Sequence, residues 1–189
     1  MAAIIPVSFV GAETGTYRVS SMRTVVGEPL TEVAAVTSHP LHLPASEASE
    51  APGAAWVLRG TNSAVRYVER PEAQALSAVQ PPIGRANCSH AALIPIRKSD
   101  AWWNLTQDER RAIFETRSNH IASCLKYLPA IARRLHHSRE LGEPFDFLTW
   151  FEFEAQHAAL FEELVQLLRA TEEWKYVDWE IDIRLVKSD

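Results

Sequence analysis

The alternation of apolar and polar positions divides the chain into a strand-rich first half and a more regular second half. Three segments of the first half are enriched in β-branched and aromatic residues, which is typical of strands: residues 4–10, 16–26 and 56–68. Residues 38–55 are rich in Pro, Ala, Ser and Glu and have no apolar period, so we expect a long mobile loop. A short helix is predicted over residues 71–78, because Pro71 suits the first turn of a helix.

The second half has the clearer periodicity. Four segments have the composition or the alternation of strands: residues 91–98, 130–139, 145–153 and 176–186. Two segments with apolar residues at helical spacing separate them: residues 105–125 and 154–171. The first helix should begin at a capping box, since Glu109 follows Thr106 by three positions. The order β-α-β-β-α-β is that of a ferredoxin-like unit, and we interpret the first half as a degenerate copy that extends the sheet.

Composition narrows the class of protein. A length of 189 residues fits one fused core, which we divide into residues 1–90 and 91–189. The formal net charge of −5 argues against nucleic-acid binding, which needs clustered Lys and Arg. We expect no membrane association, because no apolar run approaches the roughly 20 residues of a membrane helix. The two cysteines, Cys88 and Cys124, cannot form a disulfide framework, so we expect a cytoplasmic protein.

One histidine on the first predicted helix is a candidate ligand. His120 shares a helical face with Ile113, seven residues before it, and with Cys124, four residues after it. Two interpretations stay open on this pattern alone. The side chain is either a partly buried, hydrogen-bonded histidine of the helix, or an axial haem or metal ligand, since a neutral imidazole serves either role.

Two pairs of adjacent residues lie on the predicted strand that follows. His136 and His137 should point to opposite faces and cannot easily chelate one ion, so we expect surface or interface positions for them. Arg133 and Arg134 should also face opposite ways, which would let one enter a pocket while the other meets solvent. Either arginine could equally be a structural ion-pair partner.

Other features favour structural roles at this point. The neighbours Trp102 and Trp103 are typical of core or interface packing. The acidic residues Glu172 and Glu173 are typical of a solvated helix end. The chain has no glycine-rich phosphate loop, no GxSxG elbow and no HExxH segment, so the common signatures of nucleotide-binding, hydrolase and zinc-protease sites are missing from its sequence.

Three stretches of the second half resemble the chlorite dismutase family: KSDAWWNLTQDERR at residues 98–111, RSNHIASCLKYLPAIARRLHHSRELGEPFDFLTWFEF at residues 117–153, and TEEWKYVDWEIDIRLV at residues 171–186. The resemblance is strong from about residue 92 to residue 186 and weaker over the first 90 residues. It is greatest to the short-chain subgroup, whose members form homodimers.

This resemblance implies a haem b enzyme, with iron as its metal, that converts chlorite to chloride and molecular oxygen through a ferryl and hypochlorite intermediate. It also implies an α+β fold. Two ferredoxin-like halves, the N-terminal one shortened, would form a dimeric α/β-barrel-type subunit with haem in the C-terminal half. The implied partners are chlorite and a second copy of the chain.

The resemblance also assigns residues. It places the proximal iron ligand at His120, the distal arginine thirteen positions later at Arg133, and the carboxylate that binds the proximal imidazole at Glu173. It also assigns Lys98 to the proximal network, Trp102 and Trp103 to positions near the haem, and Gln80 to the distal side. The last of these lies where the resemblance is weaker.

Three alternatives remain. A coproporphyrin-haem decarboxylase of the same superfamily would share the fold and the proximal ligand, but it usually lacks the distal arginine, so Arg133 disfavours it. A peroxidase-like haem-binding protein would meet chlorite only incidentally. A dimeric α/β-barrel module without a cofactor would show no Soret band after addition of haem.

Overall fold

A computed structural model of the chain describes residues 5–40, 53–62 and 66–188. Its strands are β1 (Ile5–Ala12), β2 (Tyr17–Val26), β3 (Ala35–Pro40), β4 (Trp56–Asn62), β5 (His90–Lys98), β6 (Ala132–His137), β7 (Phe147–Phe153) and β8 (Val177–Lys187). Its α-helices are α1 (Arg70–Val79), α2 (Asp100–Trp103), α3 (Gln107–Arg111), α4 (His120–Leu125) and α5 (Ala158–Arg169). Short 3-10 turns occupy Arg139–Leu141, Ala155–His157 and Glu173–Tyr176.

The eight strands form one closed, antiparallel barrel in the order β1-β3-β2-β8-β5-β7-β6-β4. The mixed α+β class is therefore confirmed, and so is the β-α-β-β-α-β order of the second half. The seam that closes the ring is short, because β4 and β6 pair at a single position, Thr61 with His137. Gly60 allows this approach, since a Cβ atom there would lie 2.7 Å from the Cβ of His136.

The sheet buries both of its faces over the second half. The interior of the barrel holds a core that includes Phe9, Leu93, Trp150 and Ile183. The outer face carries a second core, in which residues of β5 and β7 pack beneath α4 and α5. This double burial explains why residues 91–96 are an unbroken apolar run rather than an alternating one. The outer core is the layer in which the candidate site lies.

The helix predicted over residues 105–125 is interrupted, so that prediction was wrong in its length. The capping box at its start is confirmed, because the Thr106 backbone N–H donates to Glu109 at 2.7 Å. After α3 the chain widens into a π-helical turn, Ala112–Arg117, and Asn119 then adopts a left-handed conformation with φ of 51°. Asparagine tolerates this conformation better than most residues, and α4 starts afresh at the next position.

The first half departs from the prediction at two places. Strand β3, Ala35–Pro40, was missed, and it includes residues 38–40 of the segment that we expected to be a loop. Residues 41–52 of that expected loop lie outside the described residues. The strand predicted over residues 56–68 ends at Asn62, residues 63–65 are outside the description, and Tyr67 has a positive φ that no strand accommodates. In the described parts of the chain, no helix is both long and apolar enough to cross a membrane.

Candidate active site

A cavity lies between the outer face of the sheet, at β5, β7 and β6, and the helices α1, α4 and α5. The empty space in the cavity and in the open solvent at its mouth amounts to about 1140 Å³. Much of its lining is apolar: Leu76, Ile94, Ile96, Phe114, Phe147 and Phe151. A large apolar cavity with a few convergent polar groups is typical of a site for a cofactor or a small ligand.

Three side chains form a hydrogen-bonded chain in this wall. His120 Nδ1 lies 2.7 Å from Glu173 Oε2, and Lys98 Nζ lies 2.9 Å from Glu173 Oε1. A carboxylate can only accept hydrogen bonds, so His120 carries a proton on Nδ1, and Nε2 is the ring nitrogen that is left to bind a metal. Lys98 also donates to the backbone carbonyl of Glu173 at 3.3 Å. The predicted contact between His120 and Glu173 is thus present in the structure.

Glu173 is buried, which contradicts the interpretation of a solvated helix end. Burial alone would raise the pKa of Glu173, but the charge of Lys98 and the contact with His120 outweigh it and lower the pKa below its usual value. The carboxylate therefore stays ionised at neutral pH. It gives the His120 N–H a negative partner at a depth where solvent screening is weak.

Local backbone structure holds this chain of contacts in place. The Glu173 N–H donates to the Ser118 hydroxyl at 3.0 Å, which ties the 3-10 turn before β8 to the end of the π-helical turn. Glu115 accepts from the free N–H groups of Ile121 and Ala122 and so caps the start of α4. The His120 ring also stacks on Phe114, with ring centroids 4.4 Å apart. The imidazole is therefore fixed both by its hydrogen bond and by packing.

Of the adjacent tryptophans, only Trp102 lies against the buried ammonium of Lys98, and Trp174 lies against it as well. The Lys98 ammonium lies 4.8 Å from the ring centroid of Trp102 and 5.3 Å from that of Trp174. Trp103 contributes differently, since its Nε1 donates to Asp146 at 3.1 Å, and Asp146 also accepts from the Lys98 backbone N–H at 2.7 Å. Trp174 was missed in the sequence, although its position beside Glu173 was a usable signal.

Arg133 is the distinctive charge of the cavity. Four of the five charged side chains in the lining have an ion-pair partner within the described residues: Lys98 with Glu173, Arg66 with Glu140, and Glu180 with Arg169. Arg133 has none there. It reaches the cavity from β6, with Leu135 and His137 on the same face, as strand alternation predicted.

Gln80, like Trp103, does not line the cavity. It caps the C-terminal end of α1. Its side-chain amide donates to the backbone carbonyl of Arg133 at 2.9 Å, so it contacts β6 through the main chain. The structure thus brings His120, Glu173, Lys98, Trp102 and Arg133 to the cavity and leaves Gln80 and Trp103 outside its lining.

The two histidines of β6 are buried, so the expectation of surface positions was wrong. His136 faces the barrel interior, where its ring meets Phe9 at 5.3 Å. His137 lines the cavity, and its Nδ1 has no hydrogen-bond partner in the described residues. Burial, helped by the charge of Arg66, lowers the pKa of His137 to about 4, so that the imidazole is neutral at pH 7.

Comparison with known proteins identifies the family. The profile of the chlorite dismutase family matches residues 11–187, which is nearly the whole chain and includes the first half, where the resemblance was weak. The chain belongs to the chlorite dismutase family. A chlorite dismutase from Ideonella dechloratans is 37% identical over 90 residues, which make up 47% of this chain and 30% of that protein. The aligned region therefore spans less than a third of this curated relative.

Solved chlorite dismutases have the same fold. A dimeric chlorite dismutase from Nitrobacter winogradskyi is 52% identical and superposes with a TM-score of 0.88, covering 96% of this chain and 99% of its own. A chlorite dismutase from Candidatus Nitrospira defluvii, a variant in complex with cyanide, is 19% identical, with a TM-score of 0.70 over 98% of this chain and 91% of its own. At that level of identity the similarity concerns the fold alone.

Proposed function

We propose that this chlorite dismutase family member is a haem b enzyme that converts chlorite to chloride and molecular oxygen. The observation that carries the proposal is the pairing of two features in one cavity: an imidazole fixed by a buried carboxylate, and one arginine without a carboxylate partner in the described residues. The first suits an iron ligand, and the second suits a small anionic substrate.

The residues of the cavity fit haem. The described residues contain no group of three or more His, Cys, Asp or Glu side chains that could hold a metal ion, whereas haem would need only one imidazole from the protein, which His120 could supply. The buried Nε1 of Trp102 and Nδ1 of His137 both lack a hydrogen-bond partner in the described residues, although each residue lines the cavity. Such orphaned polar atoms suit a bound group that carries carboxylates among otherwise apolar surroundings.

On the proximal side, the protein would hold and polarise the iron ligand. Because Glu173 accepts a hydrogen bond from the Nδ1–H of His120, the imidazole would keep one orientation and become a stronger electron donor through Nε2. Lys98 keeps Glu173 ionised, and Trp102 with Trp174 encloses the Lys98 ammonium. Bound haem would supply the redox chemistry that converts chlorite to chloride and dioxygen, while the residues of the chain hold the haem and the anion in place.

On the distal side, Arg133 would bind chlorite and then hold the hypochlorite until the O–O bond has formed. Its guanidinium can donate two parallel hydrogen bonds to a small oxyanion. The apolar side chains nearby, including Leu135 and Phe151, keep water scarce and strengthen this attraction. Arg133 also disfavours the decarboxylase alternative, whose distal side usually lacks this arginine.

We further propose that the chain is built from two ferredoxin-like halves, residues 1–90 and 91–189, and forms a cytoplasmic homodimer. The strand order supports the two halves, since β4-β1-β3-β2 and β8-β5-β7-β6 place first, second, third and fourth strands alike. The 52% identical Nitrobacter protein is itself dimeric. Cys88 and Cys124 are free, which suits a reducing compartment.

Haem titration followed by an oxygen-electrode assay tests the function. We expect a Soret band that saturates at one haem per chain, and oxygen release on addition of chlorite to the loaded protein. Haem binding without oxygen release would favour the peroxidase-like alternative. The absence of a Soret band would contradict the proposal altogether.

A further inference from the structure

A second carboxylate is buried in the wall of the cavity, at Glu180 on β8. Its side chain is fully shielded from solvent and lines the cavity together with Trp174. One of its oxygen atoms accepts a hydrogen bond from the indole N–H of Trp174 at 2.8 Å. The other accepts from the guanidinium of Arg169, whose Nε lies 2.9 Å away. Glu180 therefore connects a charged side chain to an aromatic ring of the cavity wall.

The fold alone does not explain a charge at this position. Glu180 lies opposite Ile96 in the pairing of β8 with β5, and Ile96 belongs to the outer apolar core. Replacing a buried ion pair by well-packed apolar side chains is often neutral or stabilising. The Trp174 N–H could also be satisfied by a neutral acceptor. The burial of a full charge in the cavity wall therefore points to an effect on what the cavity holds.

Trp174 connects Glu180 to the contacts that fix His120. The Lys98 ammonium lies 5.3 Å from the centroid of the Trp174 ring, and it donates to Glu173 at 2.9 Å. Glu173 in turn accepts from the His120 imidazole at 2.7 Å. These contacts form an unbroken series from Glu180 to the candidate iron ligand.

We propose that Glu180 is a positioning residue of the proximal site and acts on the iron ligand through Trp174. This inference rests on the proposed function, because it takes His120 as the ligand of haem iron. The part of Glu180 would be indirect. It would hold the indole ring against the Lys98 ammonium and enrich that ring in electrons.

The charge of Glu180 acts in a definite direction. An indole whose N–H donates to a carboxylate gains electron density on its ring face, and this strengthens its attraction for a cation. The Lys98 ammonium is then shared more with Trp174 and withdraws less electron density from Glu173. His120 keeps a more negative partner and donates more strongly to iron. Loss of the Glu180 charge should therefore favour ferrous over ferric iron.

Arg169 provides a matched control, because it binds two buried carboxylates. It donates to Asp182 at 2.7 Å as well as to Glu180, and Asp182 is also buried. Within the described residues, Asp182 neither lines the cavity nor accepts a hydrogen bond from Trp174. Glu180→Gln and Asp182→Asn thus remove the same charge from the same arginine, but only the first removes the charge that Trp174 contacts.

Redox titration of the haem-loaded protein, followed by its absorption spectrum, tests the inference without turnover. We expect Glu180→Gln to raise the ratio of ferrous to ferric protein at a fixed potential by about tenfold, the effect of a unit charge over roughly 12 Å at an effective dielectric constant of about 20. Asp182→Asn should raise the ratio by about threefold or less, since that charge acts without the indole.

A double-mutant cycle with Trp174→Phe tests whether Glu180 acts through the indole. Phenylalanine keeps a ring near Lys98 but lacks the N–H, so Glu180→Gln should change the ratio by only about threefold or less in this background. Trp174→Phe alone leaves the ion pairs of Glu180 and Lys98 in place and should itself raise the ratio. This single variant keeps the test decisive if Glu180→Gln does not fold.

Three results would refute the inference: equal shifts in Glu180→Gln and Asp182→Asn, a full tenfold effect of Glu180→Gln in the Trp174→Phe background, or an unchanged ratio in Trp174→Phe alone. A normal Soret band alongside any of them would leave the proposed function standing. A wild-type protein without a Soret band after addition of haem would overturn the proposed function and this inference together.

Discussion

The buried pair of Lys98 and Glu173 permits a quantitative prediction on the haem-free protein. Glu173→Gln keeps the shape and one hydrogen-bond acceptor, but it leaves the Lys98 ammonium buried without a counter-charge, since only 5% of Lys98 is exposed. Removing one member of a buried pair costs about 3–5 kcal/mol. Removing the proton from an ordinary lysine at pH 7 costs about 4.6 kcal/mol, because the reference pKa lies about 3.4 units above that pH. The loss of stability cannot exceed this value, since Lys98 would otherwise become neutral.

We therefore expect Glu173→Gln to lower the free energy of unfolding by about 3–4.6 kcal/mol at pH 7. Urea unfolding of the haem-free chain measures this loss, and the slope with urea should stay constant if only stability changes. In thermal unfolding, the loss corresponds to about 6–18 °C for a chain of this size. The double variant Lys98→Met with Glu173→Gln should recover at least about 1 kcal/mol, since no buried charge then remains unpaired.

The matched control is Glu143→Gln, which removes a half-buried carboxylate that binds the backbone and the guanidinium of Arg59 outside the cavity. Both single variants should lose stability, but only Glu173→Gln should also weaken haem binding, by about 10–100-fold. A stability loss below about 1 kcal/mol for Glu173→Gln, or equal haem affinities in the two variants, would refute the account of an ionised pair that orients His120.

Three further predictions concern the ligand, the distal arginine and acid stability. The haem-loaded His120→Ala variant should lose the native ferric spectrum, whereas His90→Ala should keep it. The reverse result would show that His120 is not the iron ligand. Arg133→Ala should evolve some oxygen but inactivate faster as hypochlorite escapes, and a hypochlorite scavenger should protect this variant more than the wild type; equal protection would leave Arg133 a simple anion-binding residue. Burial raises the pKa of Asp182, but its hydrogen bonds and ion pairs with Arg184 and Arg169 have the larger effect and bring the pKa below its usual value. The stability that the ionised Asp182 contributes is therefore complete above the unfolded pKa of about 3.9 and is lost as the pH falls. Asp182→Asn should flatten the acid limb of a plot of unfolding free energy against pH. An unchanged slope would count against this ion-pair network.

The second half of the chain was predictable because its periodicity survives in the folded structure. The strand and helix order, the opposite faces of Arg133 and Arg134, and the capping box at Thr106 all depend on spacing along the chain. The break before His120 was not predictable in this way. It depends on the left-handed Asn119 and on Glu115 capping α4, and those contacts exist only after the chain has turned.

Burial was the harder property to predict. Alternation places His137 on one face of β6, but it does not tell what covers that face, so a buried cavity residue was taken for a surface one. The burial of Glu173 was missed for the same reason. An acidic residue at a helix end is usually solvated, and its partner Lys98 lies 75 positions away in sequence.

The single pairing between β4 and β6 has a consequence for the motions of the molecule. Seven of the strand contacts around the ring extend over two or more residue pairs, but this one holds through Thr61 and His137 alone in the described residues. We therefore expect the barrel to fluctuate like a rolled sheet whose two edges touch at one point, and not like a uniform cylinder. Local opening requires least free energy where the fewest bonds must break, so breathing of the fold should concentrate at this seam. His137 belongs both to the seam and to the cavity wall, and each such opening would therefore widen the space that is proposed to hold the haem.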